Sequence, residues 1–161
     1  MNFNKFILSL DNFEIIRKFS NPLTLDLDLI EEPFWNVKEL LPKYIKTNDF
    51  EKALNLFRNT EKLDNFEKTR FLIHILNELE AIAKLEEMLQ TEPDPKLVRA
   101  GINEMNKLKN EGIIWGLCND NPLGFEETKM MPYKTLYSLR LKKVIESRIK
   151  KRYNKIIRDD S

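Results

Sequence analysis

His74 is the only histidine of the 161-residue chain and Cys118 its only cysteine. A lone imidazole can act as a general base or metal ligand, and a lone thiol as a nucleophile. His74, however, falls inside the longest helical pattern, with Arg70 and Glu78 one turn to either side. Its simpler reading is a boundary histidine beside a carboxylate at i+4. Cys118 closes the apolar run "IIWGLC" and reads as a small buried side chain. A single thiol forms no internal disulfide, which fits a reducing compartment. The acidic pairs Glu31-Glu32, Glu86-Glu87, Glu126-Glu127 and Asp159-Asp160 are adjacent residues, which diverge by about 100° on a helix and so build no carboxylate dyad by themselves. There is no zinc spacing of Cys and His and no phosphate loop or dinucleotide fingerprint. Gly116 and Gly124 stand eight residues apart. No catalytic residue, metal or cofactor is expected, and a small enzyme using His74 or Cys118 ranks last among the readings.

The richest chemistry is cationic. Residues 1–133 carry 17 basic and 23 acidic side chains, net −6, while residues 134–158 carry 10 basic and one acidic, net +9. Nine of those cations crowd the nineteen residues from Arg140 to Arg158. Such a run is a solvated helix face, a docking face for an acidic protein surface, or a grip on phosphate backbone through counterion release. Apolar residues thread it at helical spacing: Tyr133, Tyr137, Leu141, Val144/Ile145, Ile149, Tyr153 and Ile156. A helix with such a stripe needs a dry surface as well as a charged one, which favours protein over nucleic acid. The expected partner-binding set is Trp115, Tyr133, Tyr137, Ile149, Lys150, Lys151, Arg152 and Tyr153. Trp115 joins it because tryptophan is enriched at interface anchors and because it lies beside a chain break.

The elements that must position these residues are mostly helices. The pattern predicts a short helix over "NVKELLPKYIKT", interrupted at Pro42, and another over "NDFEKALNLFRNT" with Asn48 as N-cap. The strongest helix runs from about Asp64 to Gln90, with Leu72, Ile75, Leu79, Ile82 and Leu89 on one face, broken once by Glu86. Asp94 and Pro95 start the next, lined by Val98, Ile102, Met105 and Leu108. Pro132 marks the entry to a final helix reaching about Ile157. Leu79, Ile82, Ile102, Met105, Trp115 and Leu141 are expected in the core. The first 35 residues read differently. "LTLDLDLI" alternates with period two, as a half-buried strand does, and "KFILSL" could pair with it as a small β-ribbon or extended element packed on the helices. The fold expected is thus mainly α: one domain, with residues 1–35 as that N-terminal element and residues 36–161 helical.

Composition bounds the rest. At 33% charged and 42% hydrophobic the chain suits solvated helices around an apolar core. Four glycines are too few for a Rossmann fold or a barrel. No stretch approaches the ~20 apolar residues of a membrane span, and the N-terminus lacks the basic leader and apolar core of a signal peptide, so an intracellular protein without a membrane partner is expected.

The order of segments in the second half, from the Pro-capped "EPDPKLVRAGINEMNKL" through "GIIWGLC" and a polar turn to "MPYKTLYSLRLKKVIESRIKKRY", resembles small helical tail-morphogenesis proteins of tailed bacteriophages, tail assembly chaperones among them. The resemblance spans about residues 92–153. It implies a non-catalytic protein that binds the tape-measure protein or tail tube during assembly, or stays in the virion as a connector. It implies localisation in the host cytoplasm or the virion, with a tail component or a second copy of the chain as partner, and it carries no catalytic residues over. A nucleic-acid-binding protein using the basic helix is the alternative.

Overall fold

The computed structural model describes residues 2–11 and 13–159. It is mainly α. The α-helices are α1 (Phe3–Leu8), α2 (Phe13–Phe19), α3 (Leu41–Lys46), α4 (Phe50–Asn55), α5 (Asn65–Met88), α6 (Pro95–Arg99), α7 (Lys109–Leu117), α8 (Pro122–Met130) and α9 (Tyr133–Asp159). A 3-10 turn at Leu29–Glu31, a π turn at Asn36–Leu40 and a 3-10 stretch at Ile102–Leu108 complete the order.

α5 is the spine. Asp64 and Glu67 form a reciprocal capping box at its start, satisfying two N–H groups that a helix N-terminus otherwise leaves open. Phe71, Leu72, Ile75 and Ile82 bury one face of it against Phe3 and Ile7 of α1, Leu54 of α4, Ile114 of α7 and Leu136 of α9. α1 and α4 are tied by Asn4, whose Oδ1 accepts the Glu51 N–H at 2.9 Å. Asn4 thus caps α4. Asn48, expected in that role, instead turns the chain in a left-handed conformation at φ 57°.

The expected β-ribbon is absent among the described residues, although residues 1–35 do pack on the helices. "KFIL" belongs to α1, so "LTLDLDLI" has no strand to pair with. Leu25 and Asp26 both adopt positive φ, 47° and 55°, which folds the alternating leucines into a turn. Leu27 and Leu29 still reach the core. The loop's backbone groups find partners on α5 and on Arg58 instead of a ladder, as buried main chain requires: Leu23 N–H donates to the Arg70 carbonyl, Arg70 Nε donates to the Asn21 carbonyl, and Arg58 Nη2 donates to the Asp26 carbonyl.

Pro42 does not interrupt its helix. A proline ring crowds the carbonyl four residues back and offers it no N–H. The preceding turn widens, with the Leu41 N–H reaching the Asn36 carbonyl, and α3 continues. The Lys38 carbonyl that Pro42 cannot satisfy accepts from Asn110 Nδ2 at 2.9 Å.

The helix expected over 95–108 is two pieces. Gly101 sits at φ +89°, a conformation glycine adopts without penalty, and it ends α6 there. The chain resumes as a 3-10 stretch on the outside. Ile102 and Met105, expected in the core, are 39% and 56% exposed. Ile82 is buried as expected, whereas Leu79, Trp115 and Leu141 are half-buried.

Candidate docking surface

α9 is aimed by its first residues. The Phe34 N–H donates to the Met131 carbonyl and the Tyr133 N–H to the Glu32 carbonyl, both at 2.9 Å. The Pro33–Pro132 bridge they make pins the helix start to the segment before the π turn. Tyr133 is fully buried, stacked between Phe34 at 6.1 Å and Tyr137 at 6.2 Å.

The opposite anchor is Glu86. It breaks the apolar stripe of α5, and at that break Arg140 Nη1 and Nη2 donate to its two oxygens at 2.7 and 2.9 Å, while Tyr133 Oη donates at 2.5 Å. Lys38 Nζ stands 3.6 Å away. Burial pushes the Glu86 carboxyl up, but the bonds from Arg140 and Tyr133 and the charges of Arg140 and Lys38 outweigh it and hold the group below the usual glutamate range. Burial, then the bond to Glu86 and its charge, push the Tyr133 phenol well above the usual tyrosine range. A tyrosine, a paired arginine and a half-buried carboxylate thus fix α9 to α5.

α7 and α8 form the hinge block beside this anchor. Asn119 and Asp120 turn the chain at φ 52° and 58°, and Asn121 caps α8 through the Leu123 N–H. A Cβ on Gly124 would stand 3.3 Å from the Cys118 Cβ, so glycine lets the two helices close. Trp115 packs on Phe125 at 4.5 Å between ring centres, and Lys143 Nζ donates to the Gly116 carbonyl.

Beyond Val144 the packing stops. Every residue from Ile145 to Asp159 is exposed. That is fifteen of the 27 residues of α9, a projection of about 22 Å at 1.5 Å per residue. Ile149 and Tyr153 are 58% and 61% exposed, and Ile145, Ile156 and Ile157 stand out with them. Lys151 Nζ donates to the Glu92 carbonyl at 3.4 Å, and Arg148 Nη2 donates to the Met88 carbonyl at 3.5 Å. These contacts lay residues 88–92 along one side of the projection and leave the isoleucine stripe uncovered.

The expected partner-binding residues therefore divide. Ile149, Lys150, Lys151, Arg152 and Tyr153 lie together on the projecting half. Tyr133 is core, because its ring fills the space between Phe34 and Tyr137. Tyr137 and Trp115 are half-buried, with the Tyr137 hydroxyl over Met88 and Trp115 against Phe125. Both brace α9 from below and neither joins the projecting set. The residues that sequence reading missed are Glu86, Arg140 and Lys38 as an anchor, and Asn110 as the clasp on the π turn. A carboxylate interrupting one apolar stripe and an arginine one heptad after a stripe tyrosine were the signals for the first of these.

His74 is buried, and its Nε2 lies 2.8 Å from the Leu27 carbonyl. Since a carbonyl only accepts, that nitrogen donates, and the ring holds the 23–30 loop on α5. The boundary position beside Glu78 is thus replaced by a buried one. Cys118 is half-buried, with Sγ 3.5 Å from the Trp115 carbonyl. Among the described residues no group of three His, Cys, Asp or Glu side chains is placed to hold a metal ion, and no helix is long and apolar enough to cross a membrane. Compared with family models, with curated proteins and with solved structures, the chain matches none.

Proposed function

We propose that this chain is a non-enzymatic protein-interaction protein that docks through the projecting half of α9, as an assembly or virion component of a tailed bacteriophage. The observation that carries the docking part is the uncovered Ile145–Ile149–Tyr153–Ile156 stripe on a helix whose other half is firmly anchored. Exposed apolar rows rimmed by charge mark protein interaction sites. A helix held at one end and free at the other presents its row already ordered, which lowers the entropy lost on binding. Support for the tail-assembly part is the segment order over residues 92–153. With His74 tied to a backbone carbonyl and Cys118 half-covered by its own helix turn, both side chains serve the fold on this reading.

A photo-crosslinking residue at position 153, compared with one at the exposed position Lys52, tests it in cells that make the phage. A protein adduct from position 153 alone, identified as a tail or virion component and lost on adding Ile149→Asp, is the expected result. A second reading, nucleic-acid binding, is favoured by one observation: Lys150, Arg152 and Lys155 make no ion pair among the described residues. A DNA or RNA probe shifted at ~0.1 M salt, with log affinity falling steeply against log salt, and released by changing Lys150, Lys151 and Arg152 to Gln, would replace the first reading with the second.

A further inference from the structure

We infer that the occupant of the projecting stripe is an acidic amphipathic helix of another protein. This rests on the docking reading above and names the partner's chemistry.

Width comes first. At 100° per residue, Ile145, Ile149, Tyr153 and Ile156 fall within an arc of about 80°, the exposed Ile157 widens it to about 120°, and Arg152 stands about 20° outside the Ile145 edge. A helix lying in a bilayer surface presents a broad apolar face with its cations on the far side. Here Arg152 stands at the row's edge rather than opposite it, and an apolar arc of about 120° is the face a helix buries against another helix. The row is three turns long, as suits a helix that inserts anchors at i, i+4, i+8 and i+11 spacing.

Charge comes second. From Ile145 to Arg158 the helix carries six basic side chains and one acidic, Glu146. Glu146 lies 3.8 Å from Lys142. The six cations make no ion pair with any described carboxylate; Arg148 and Lys151 reach only backbone carbonyls. In the anchored half, by contrast, Arg140 pairs with Glu86 and Lys134 with Glu31. Five of the six cations lie on the Arg152 side of the row, and Lys150 alone lies beyond the opposite edge, next to Glu146, so a helix seated on the row meets positive charge mainly along one edge. Acidic side chains along the facing edge of the partner's own apolar row answer that. A second copy offering the same stretch of α9 would instead set six cations against six, and juxtaposed like charge disfavours that pairing. Phosphate backbone answers the cations but leaves the isoleucines wet.

The test uses the full chain and a labelled peptide of residues 141–159 in which every Lys and Arg is replaced by Glu. It keeps the apolar row and reverses the charge. Fluorescence anisotropy is read against two controls, the same peptide with its natural residues and vesicles of phosphatidylcholine with phosphatidylglycerol. The expected result is binding of the acidic peptide at least about tenfold tighter than the natural peptide. Affinity should fall as salt rises from about 0.05 to 0.5 M, and binding should be lost in the Ile149→Asp/Tyr153→Asp chain. Circular dichroism should show that chain folded, since both residues are exposed. Equal binding of the natural peptide assigns the row to a second copy, and vesicle binding without peptide binding assigns it to lipid. Peptide binding that survives Ile149→Asp/Tyr153→Asp shows charge acting without the row. Each of these overturns the inference. If the crosslink from position 153 finds a protein partner while the acidic peptide does not bind, the docking reading stands and the acidic-helix inference falls. If neither appears, both fall.

Discussion

The two halves of α9 obey different rules although one helical repeat runs through both. From Tyr133 to Val144, the side chains on the inward face have partners: Tyr133 its aromatic neighbours, Arg140 the Glu86 carboxylate, Lys134 the Glu31 carboxylate, Lys143 the Gly116 carbonyl. From Ile145 to Asp159 the same residue types are exposed, and no cation of that stretch has a carboxylate among the described residues. Amphipathic spacing makes a face; the bulk behind it decides whether the face is core or surface. The core ends where α5 ends at Met88, and the chain beyond it, residues 90–109, covers little of α9.

The largest expected effect lies in the anchored half. Tyr133→Ala removes a fully buried ring and should destabilise the fold by about 3–5 kcal/mol, read by urea denaturation. Tyr153→Ala should stay within about 0.5 kcal/mol of the parent, as for an exposed position without structural partners. Equal losses would erase the distinction between the halves.

Glu86→Ala comes next. It leaves Arg140 and Lys38 without their carboxylate beside a buried tyrosine, and should destabilise by roughly 2–4 kcal/mol, less than a fully buried pair because both groups keep some solvent. The same group predicts a pH effect. Its folded pKa lies below the ordinary glutamate value of about 4.5. The stabilisation is therefore present above about pH 4.5 and is lost as pH falls through the folded value. Denaturation midpoints followed from pH 6 to pH 2.5 should fall more steeply in the parent than in Glu86→Gln. Parallel curves would remove Glu86 from the anchor.

Much of the fold could be read from the sequence because it follows from local rules. The start of α5 at Asp64, the Pro95 start after Asp94 and the long period of α5 each act within one or two turns. What escaped was set at long range. Nothing in "LTLDLDLI" itself shows that its partner segment is helical, so alternation alone suggested a strand. The Pro42 break was averted by Asn110, some seventy residues away. Ile102 and Met105 have core spacing, but Gly101 turns their helix and no second layer covers them. At the candidate site the residue types and positions from Ile149 to Tyr153 were legible; that Tyr133, on the same helical stripe, is interior depended on where Phe34 and Glu86 lie.

A smaller effect sharpens the boundary between the halves. His74→Gln should cost about 1 kcal/mol, the worth of one hydrogen bond plus imperfect packing, by loosening the 23–30 loop at the Leu27 carbonyl. Peptide binding at the projecting stripe should not change. A change there would couple the loop to the stripe and contradict the independence of the two regions.

Amide hydrogen exchange along α9 in the free protein tests the central claim most directly. Backbone amides held by a packed core exchange only on global unfolding, whereas those of an unsupported helix exchange through local fraying. The account predicts slow, stability-limited exchange from about Tyr137 to Val144. It predicts exchange faster by orders of magnitude from Ile149 to Arg158, slowed again when the acidic peptide is added. Uniform, stability-limited protection from Tyr137 to Arg158 in the free protein would contradict it, because the projecting half would then be part of the core.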